Sequence, residues 1–430
     1  MSQLKVNALV SYSGNTVTLG TSGDTINVAS NVTFNTASGT LTLPTTIKVN
    51  TIQNTNSSTL ITQTNSTTIT VGVSGQTVAL PSQSISYAAI SNPVDFRNIV
   101  INGDMQVAQR ATSKANVGFE YATLDRWQTV NGNLGTWTQS QSTDVPTGQG
   151  FANSLKMDCT AADASPASGD EIYIRQLFEG QNLQYLKKGT ANALALTASF
   201  WVKSTKTGTF ILELVDDDNS RSISKSYTVN VTNTWEYKTI TFPGDTTGAF
   251  TNDNGQSLNL DFWIATGSGA SSGTLQTSWG SIVTANRAVG QVNCADSTSN
   301  DWLITGVQLE AGEQASGFEF MPIDVSLGRC ERYYYQTVSS ESIGVVFSAT
   351  QASFKAKLPV TMRATPSLTM PTSGSFRGDV LNGNKASATA PVSANPTPRD
   401  VYWYSLGYSG ASFVELVYWN GDPIKISAEL

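Results

Sequence analysis

The chain contains no histidine, which excludes every catalytic or metal-binding arrangement that depends on imidazole. Ser-His-Asp and Cys-His nucleophilic systems and His-ligated zinc sites all need that side chain. The cysteines are few, widely spaced and odd in number, which predicts small buried side chains rather than a disulfide framework: Cys159, Cys294 and Cys330. Chemistry would have to rest on carboxylates, but no pattern marks a catalytic pair, so we expect no enzymatic activity.

Aromatic side chains are the other candidates for chemistry, because their faces stack on the apolar C–H side of a sugar ring. All nine Trp residues lie beyond residue 126. Trp137 and Trp279 lie in polar sequences that are typical of loops, so they are predicted to be exposed glycan-binding platforms. The Trp residues in apolar or strand-like sequences are predicted to pack in the core: Trp127, Trp201, Trp263 and Trp302.

The composition predicts an all-β protein with many turns. Only 13% of the 430 residues are charged and 39% are hydrophobic, while Ser, Thr, Asn and Gly are abundant. Such a composition favours short strands over long helices. A net charge of −7 without a basic cluster excludes nucleic-acid binding. The sequence has no apolar run of the ~18 residues that a membrane helix needs and no secretory-signal pattern, so we expect assembly in a cytoplasm.

Residues 1–92 differ from the rest of the chain. Their only charged side chains are Lys5, Asp24 and Lys48. Alternating apolar patterns recur, since residues 4–9 return as 47–52 and residues 16–28 return as 68–80. One such chain has a thin apolar stripe and unpaired strand edges, whereas three chains around a common axis bury the stripes and pair the edges. We therefore predict a trimeric β-repeat shaft, with a flexible Ser/Thr-rich linker as the alternative.

Two distant stretches predict the limits of a β-sandwich. Residues 98–127 contain an NGD turn, a short strand pattern and a closing DRW, and residues 301–319 contain VQLE followed by FE. Both stretches resemble the opening and closing signatures of the carbohydrate-binding, galactose-binding-like jelly-roll modules of phage tail fibres. First and last strands lie side by side in a jelly roll, so the resemblance implies one antiparallel sandwich over residues 93–324.

Further strand patterns fill the sandwich and continue beyond it. Residues 210–215 and 223–231 are predicted to form a hairpin around residues 216–219, and residues 267–273 are predicted to be a Gly/Ser-rich loop. Residues 325–430 are predicted to be a smaller C-terminal β domain. This part opens with ERYYY and contains LPVTMR, which resemble the ends of phage tail proteins.

The same resemblance implies a candidate calcium site. In such modules a structural calcium often lies where the first and last strands meet. Asp104 and Asp301 could supply oxygen ligands here, since calcium takes several oxygens at ~2.3–2.6 Å. The sequence departs from the pattern at Met105 and Gln106, where relatives commonly have Phe-Glu, and the alternative is that Asp104 caps its own turn. Apart from this calcium we expect no cofactor.

Together the resemblance and the layout imply a bacteriophage tail fibre, a receptor-binding adhesin that recognises a bacterial surface glycan without cleaving it. The expected partners are two further copies of the chain, other virion tail proteins at residues 1–92, and the surface polysaccharide. Three alternatives remain open. They are a purely structural fibre or decoration protein on tail or capsid, a free cell-surface sugar-binding protein, and a capsule depolymerase.

Overall fold

The structure is a computed structural model that describes residues 96–337, 342–348, 350–371, 375–378, 384–386, 392–406, 416–419 and 423–430. These residues belong to one compact unit. The predicted shaft at residues 1–92 lies outside them. Strands dominate the described part of the chain, whose longest helix has nine residues, so the all-β expectation is confirmed. Within this part, no helix has the length and apolar character needed to cross a bilayer.

Thirteen strands build the sandwich. In chain order they are β1 (Ser113–Lys114), β2 (Glu120–Tyr121), β3 (Gln128–Gly132), β4 (Thr136–Ser142), β5 (Ser154–Ala161), β6 (Glu171–Glu179), β7 (Leu196–Ser204), β8 (Gly208–Asp216), β9 (Arg221–Val229), β10 (Glu236–Phe242), β11 (Gln256–Thr266), β12 (Gly280–Ser281) and β13 (Asp301–Ala311). Single turns of 3₁₀ helix occupy Gly180–Asn182, Gln184–Leu186 and Thr284–Asn286, and the one-turn helix α1 occupies Ser268–Ser271.

The strands form two antiparallel sheets that enclose one core. The first sheet has the order β1-β4-β5-β13-β7-β10, and the second has the order β12-β9-β8-β11-β6-β3-β2. Alternate side chains point inward, as the period of two of a strand requires. Phe200 of the first sheet contacts Phe262 of the second with ring centroids 5.1 Å apart, and Phe262 contacts Trp302 at 6.1 Å. These central rings hold the sheets face to face.

The hairpin expectation is confirmed, and the loop expectation is confirmed only in part, because the helix α1 occupies Ser268–Ser271. Strands β8 and β9 pair without a register shift, and Asp216 lies opposite Arg221 at the tip. The segment at residues 267–273 is irregular apart from α1.

The predicted first strand is an irregular segment at residues 98–110, although it lies beside the last sandwich strand as expected. The backbone N–H of Ile99 donates to the carbonyl of Leu309 at 2.9 Å. Asn102 and Met105 both have a φ of 59°, a left-handed conformation that interrupts a strand. The strand expectation is therefore wrong for this segment, while its position next to β13 is confirmed.

The C-terminal part begins with a helix that the sequence patterns did not indicate. Helix α2 (Ile323–Glu331) is followed by β14 (Tyr334–Gln336), β15 (Ile343–Ser348), β16 (Gln351–Lys357), β17 (Ser367–Thr369), β18 (Ser375–Gly378), β19 (Asn384–Ala386), β20 (Val392–Ala394), β21 (Asp400–Leu406), β22 (Leu416–Trp419) and β23 (Lys425–Ser427). They form a three-stranded sheet, β14-β23-β17, and a seven-stranded sheet, β19-β18-β22-β15-β16-β21-β20. Phe354, Trp403 and Trp419 fill their core.

Buried ion pairs attach this C-terminal part to the sandwich. The Arg126 side chain is fully buried, pairs with Glu429, and lies over the Tyr333 ring with its guanidinium carbon 3.6 Å from the centroid. It also donates to the carbonyl of Leu177 at 2.6 Å. Glu429 additionally binds Arg110 at 3.0 Å, so one carboxylate near the carboxyl terminus neutralises two sandwich arginines.

We expect Glu429→Gln to destabilise the protein strongly, because it leaves the buried Arg126 guanidinium without its counter-ion. Removing one partner of a buried pair costs about 3–5 kcal/mol. The matched control is Glu120→Gln, which breaks a partly exposed pair with Lys114 and should cost less than about 1 kcal/mol. Chemical denaturation followed by Trp fluorescence measures both, and equal losses would contradict the docking role of Glu429.

Candidate functional site

A cavity of about 570 Å³ lies on the outer face of the first sheet. Five aromatic rings line it, together with polar and glycine residues, and we call it the aromatic groove. Its lining residues are Gln149, Phe151, Ser199, Trp201, Tyr237, Gly306, Gly317, Phe318 and Phe320. A concave surface of this size and composition falls in the range of small-molecule sites.

Strand alternation places two of the rings. In β7 the side chains of Ala198, Phe200 and Val202 are fully buried in the core, so Trp201 points to the outer face. Tyr237 of β10 lies directly opposite Trp201, and their ring centroids are 5.3 Å apart at 48°. Such cross-strand aromatic pairs stabilise a sheet while leaving ring surface exposed. Tyr237 is 46% exposed.

Three phenylalanines form the opposite wall. Phe151 precedes β5, whereas Phe318 and Phe320 belong to the segment after β13. Phe151 is 5.1 Å from each of the other two rings, and Phe318 is 4.9 Å from Phe320. Phe320 is 50% exposed at the rim, so the wall presents apolar surface to a ligand.

A β-bulge in β13 makes room for this wall. The register between β13 and β7 shifts between Thr305 and Gln308, and Gly306 there has a φ of 61°. A Cβ at Gly306 would lie 2.5 Å from the ring of Phe151, closer than any real contact. Only glycine fits both the left-handed backbone and the close ring, so the groove depends on this residue.

The lining residues suit a neutral ligand with apolar faces and hydroxyl groups. They include no charged side chain, and Gln149 supplies an exposed amide that can exchange hydrogen bonds with hydroxyls. Aromatic faces bind the C–H face of a pyranose. Without a carboxylate in the lining, the groove lacks the acid and base that glycoside hydrolysis needs.

The expectation that Trp137 is an exposed platform is wrong. Its side chain is fully buried in the sandwich core, and its indole N–H donates to the carbonyl of Leu134 at 2.8 Å. Its polar neighbours Thr136 and Thr138 are the outward-facing residues of β4, not parts of a loop. Polar residues that alternate with a tryptophan therefore indicate the outward face of a strand rather than a binding loop.

Trp279 remains partly exposed but lies outside the aromatic groove. Its ring packs against the core, and its indole N–H donates to the carbonyl of Pro243 at 2.8 Å. The Nζ of Lys188 lies 5.8 Å from the ring centroid. The platform role of Trp279 stays a prediction.

The expectation that Trp201 packs in the core is wrong, because its side chain lines the aromatic groove and is only partly buried. The other three tryptophans expected in the core are fully buried, namely Trp127, Trp263 and Trp302. The signal that identifies Trp201 was present in the sequence. Ser199 and Lys203 flank it two residues away on each side, which marks the polar face of an alternating strand.

Asp104 and Asp301 do not fit a shared calcium site. Asp104 is buried, accepts a hydrogen bond from the Gln106 side chain at 2.8 Å, and has a pKa that burial raises. Asp301 pairs with Lys156 at 3.0 Å. The carbonyl of Gly103, next to Asp104, accepts the backbone N–H of Val307. Val307 and Asp301 both belong to β13 but are about 20 Å apart along the strand, so Asp104 and Asp301 lie at separate places. No cluster of three or more potential metal-ligating residues occurs in the described ranges. The turn-capping alternative agrees with the Gln106 contacts.

A second polar cluster lies on the outer face of the second sheet but is sealed. The register places five polar side chains in one row across β3, β6, β11, β8 and β9: Gln128, Arg175, Asp261, Glu213 and Ser224. Arg287 from the covering segment binds Glu213 at 2.9 Å and Asp261 at 3.2 Å. Both carboxylates are fully buried, and burial raises the pKa of Asp261 to about 7. A polymer cannot reach this carboxylate pair.

The fold and groove define an all-β protein with an antiparallel jelly-roll sandwich and an aromatic surface site. No family model matches the chain, and no curated protein is significantly similar to it. Solved structures match part of it. The enzymatically active domain of tailspike protein 4 from bacteriophage CBA120 has 16% identity and a TM-score of 0.27, covering 50% of this chain and 21% of the tailspike chain. The chain thus matches about a fifth of that relative.

Two carbohydrate-binding proteins match a similar share of the chain. A family 4 carbohydrate-binding module has 13% identity and a TM-score of 0.25, covering 49% of this chain and 97% of its own. The module TmCBM61, solved with β-1,4-galactotriose, has 10% identity and a TM-score of 0.22, covering 50% and 99%. At these values the matches are partial similarities of fold and carry no conclusion about function.

We expect Gly306→Ala to damage the aromatic groove, because the new methyl group collides with Phe151 and the left-handed backbone becomes strained. The expected loss is about 1–3 kcal/mol of unfolding free energy. Gly169→Ala is the control, because a Cβ there meets no atom within 4 Å. Denaturant unfolding measures both variants, and an unchanged Gly306→Ala protein would contradict the bulge geometry.

Proposed function

We propose that the chain is a bacteriophage tail-fibre protein that recognises a bacterial surface glycan through the aromatic groove. The observation that carries this proposal is the pairing of Trp201 with the half-exposed Tyr237 opposite a wall of phenylalanines. A soluble surface rarely exposes so many adjacent rings unless they bind something. The sequence resemblance to tail-fibre modules supplies the virion context.

Binding in the groove would be non-covalent and directed at neutral sugar units. The faces of Trp201 and Tyr237 offer stacking surface to a pyranose. Phe320, at the rim of the groove, would contact the same pyranose from the side. Gln149 is placed to exchange hydrogen bonds with ring hydroxyls. Because no charged group lines the groove, a neutral sugar loses no ion solvation there, whereas a charged one would.

Residues 1–92 would assemble three chains and attach them to the virion tail. A single aromatic groove of this size gives a weak affinity for one sugar unit, and three grooves on one fibre raise it through effective concentration. Repeating surface polysaccharides present many copies of the same unit. Trimerisation therefore converts weak sites into stable attachment.

The first test compares two tryptophan variants of the full-length protein on an array of bacterial surface polysaccharides. Trp201→Ala should weaken binding to the recognised polysaccharide by about 10-fold or more, as removal of a central aromatic anchor does. Trp279→Ala removes an equally large, partly exposed ring outside the groove and should bind as the wild type does. Dissociation constants from surface plasmon resonance quantify both.

The other results of this test each favour a different function. Loss of binding only in Trp279→Ala would move the site to that residue. No binding to any polysaccharide would favour a structural fibre or decoration protein. Shortened polysaccharide chains after incubation would favour a depolymerase.

The trimer is tested by light scattering. The full-length protein should have a molar mass near three times 45.8 kDa, and a fragment that begins at Asn92 should have a lower assembly state. The reason is that residues 1–91 contain the apolar stripes that need partners. A full-length monomer would contradict the shaft and favour the free sugar-binding protein.

A further inference from the structure

A second cavity, of about 310 Å³, lies where helix α2 meets the sandwich. We call it the α2 cavity. Its lining combines two arginines, one glutamate and several aromatic rings, including Phe96, Glu179, Tyr185, Arg329 and Arg332. It shares no lining residue with the aromatic groove. Its chemistry also differs, because charged groups line it.

The glutamate of the α2 cavity is already neutralised. Arg332 donates two hydrogen bonds to the Glu179 carboxylate, at 2.8 and 2.7 Å, in the bidentate arrangement that suits a guanidinium. The Tyr333 hydroxyl donates a third at 2.5 Å. These donors hold the pKa of Glu179 below its usual range despite its burial. This pair adds no net charge to the cavity.

The second arginine has no such partner. Within the described part of the chain, Arg329 forms no ion pair, and the hydrogen-bond contact of its guanidinium is to Met321 Sδ at 3.5 Å. Glu319 attracts the Arg329 guanidinium electrostatically but does not form an ion pair with it. Its Oε2 instead accepts the backbone N–H of Asn98 at 2.8 Å. Burial lowers the pKa of Arg329, in agreement with the absence of an ion-pair partner among the described residues. The end of α2 offers only about half a negative charge.

Two exposed aromatic rings line the same cavity as this cation. Phe96 is 71% exposed and Tyr185 is 47% exposed, although both line the cavity. Large exposed rings beside an uncompensated guanidinium offer stacking surface and bidentate anion binding at the same place. A sugar ring that carries a carboxylate presents both complementary features. We propose that the α2 cavity is a binding site for an acidic sugar of the hexuronate type, with Arg329 as the carboxylate partner.

The size and electrostatics fit one such sugar unit. The cavity volume lies at the lower end of the range for small-molecule sites, about 300–1,000 Å³. A carboxylate in contact with Arg329 would supply the missing counter-ion in a partly desolvated place, where a charge-assisted hydrogen bond is strong. A neutral sugar of the same shape would leave the guanidinium unpaired. The site therefore selects acidic over neutral sugars.

The test titrates the full-length protein with trigalacturonate and, separately, with neutral galactotriose, by isothermal calorimetry. Trigalacturonate should bind more tightly, and Arg329→Gln should weaken its binding by about 10- to 100-fold, the usual effect of losing a hydrogen bond to a charged group. Arg329→Lys keeps the charge without the planar fork and should lose less. Arg399→Gln, at an exposed arginine outside the cavity, is the matched control and should bind unchanged.

Several results would overturn the proposal. They are equal affinity for the two trisaccharides, no binding of trigalacturonate, or an Arg329→Gln variant that melts normally and binds as the wild type does. Displacement of trigalacturonate by inorganic phosphate at the same concentration would show a bare anion site instead. Trp201→Ala should leave uronate binding intact, so failure of the aromatic groove and failure of this site are distinguishable.

Discussion

The β-bulge in β13 is the constraint on which the sandwich and its groove depend. The bulged residues Gly306 and Val307 lie between the partners of Trp201 and Ser199, so Val307 has no partner in β7. The opening segment, which lies beside β13 beyond the end of its pairing with β5 at Ile304, supplies the hydrogen bonds of Val307. Gly103 accepts the Val307 N–H at 2.9 Å, and the Asn98 side-chain amide donates to the Val307 carbonyl at 3.1 Å. Unpaired backbone groups in a buried strand would be costly, so the two ends of the sandwich need each other.

This pairing gives a physical reason for the opening motif. A Cβ at Gly103 would lie 2.1 Å from the Val307 carbonyl oxygen, so only glycine permits the approach. Asn102 holds the turn by exchanging hydrogen bonds with the backbone of Val107 at 2.9 Å. Trp127 of the DRW motif donates to the carbonyl of Asn102 at 3.0 Å. These residues serve the fold, and none of them lines the aromatic groove.

Much of the fold could be predicted from strand alternation, whereas the aromatic groove could not. The strands from β7 to β11 follow simple apolar patterns, and so does the β8–β9 hairpin. Trp137 is buried and Trp201 lines the groove, the reverse of the expectation, because the period of two of a strand decides burial more strongly than the polarity of immediate neighbours. The sequence patterns do not indicate helix α2, because its buried apolar side chain, Cys330, packs against the distant residues Ile101 and Val107. The Phe318–Phe320 wall depends on a long-range bulge that no local pattern shows.

The state of the carboxylates favours binding over hydrolysis at both cavities. The aromatic groove has no carboxylate in its lining. In the α2 cavity, Arg332 and Tyr333 donate three hydrogen bonds to Glu179, which stabilise its charged form and make it a weak base. On the second sheet, Glu213 and Asp261 are close enough to share Arg287, but the segment that carries Arg287 covers them. A depolymerase would need an accessible pair with one free acid and one free base. The two cavities instead offer aromatic rings and a guanidinium, the groups to which we assign sugar binding in our proposals.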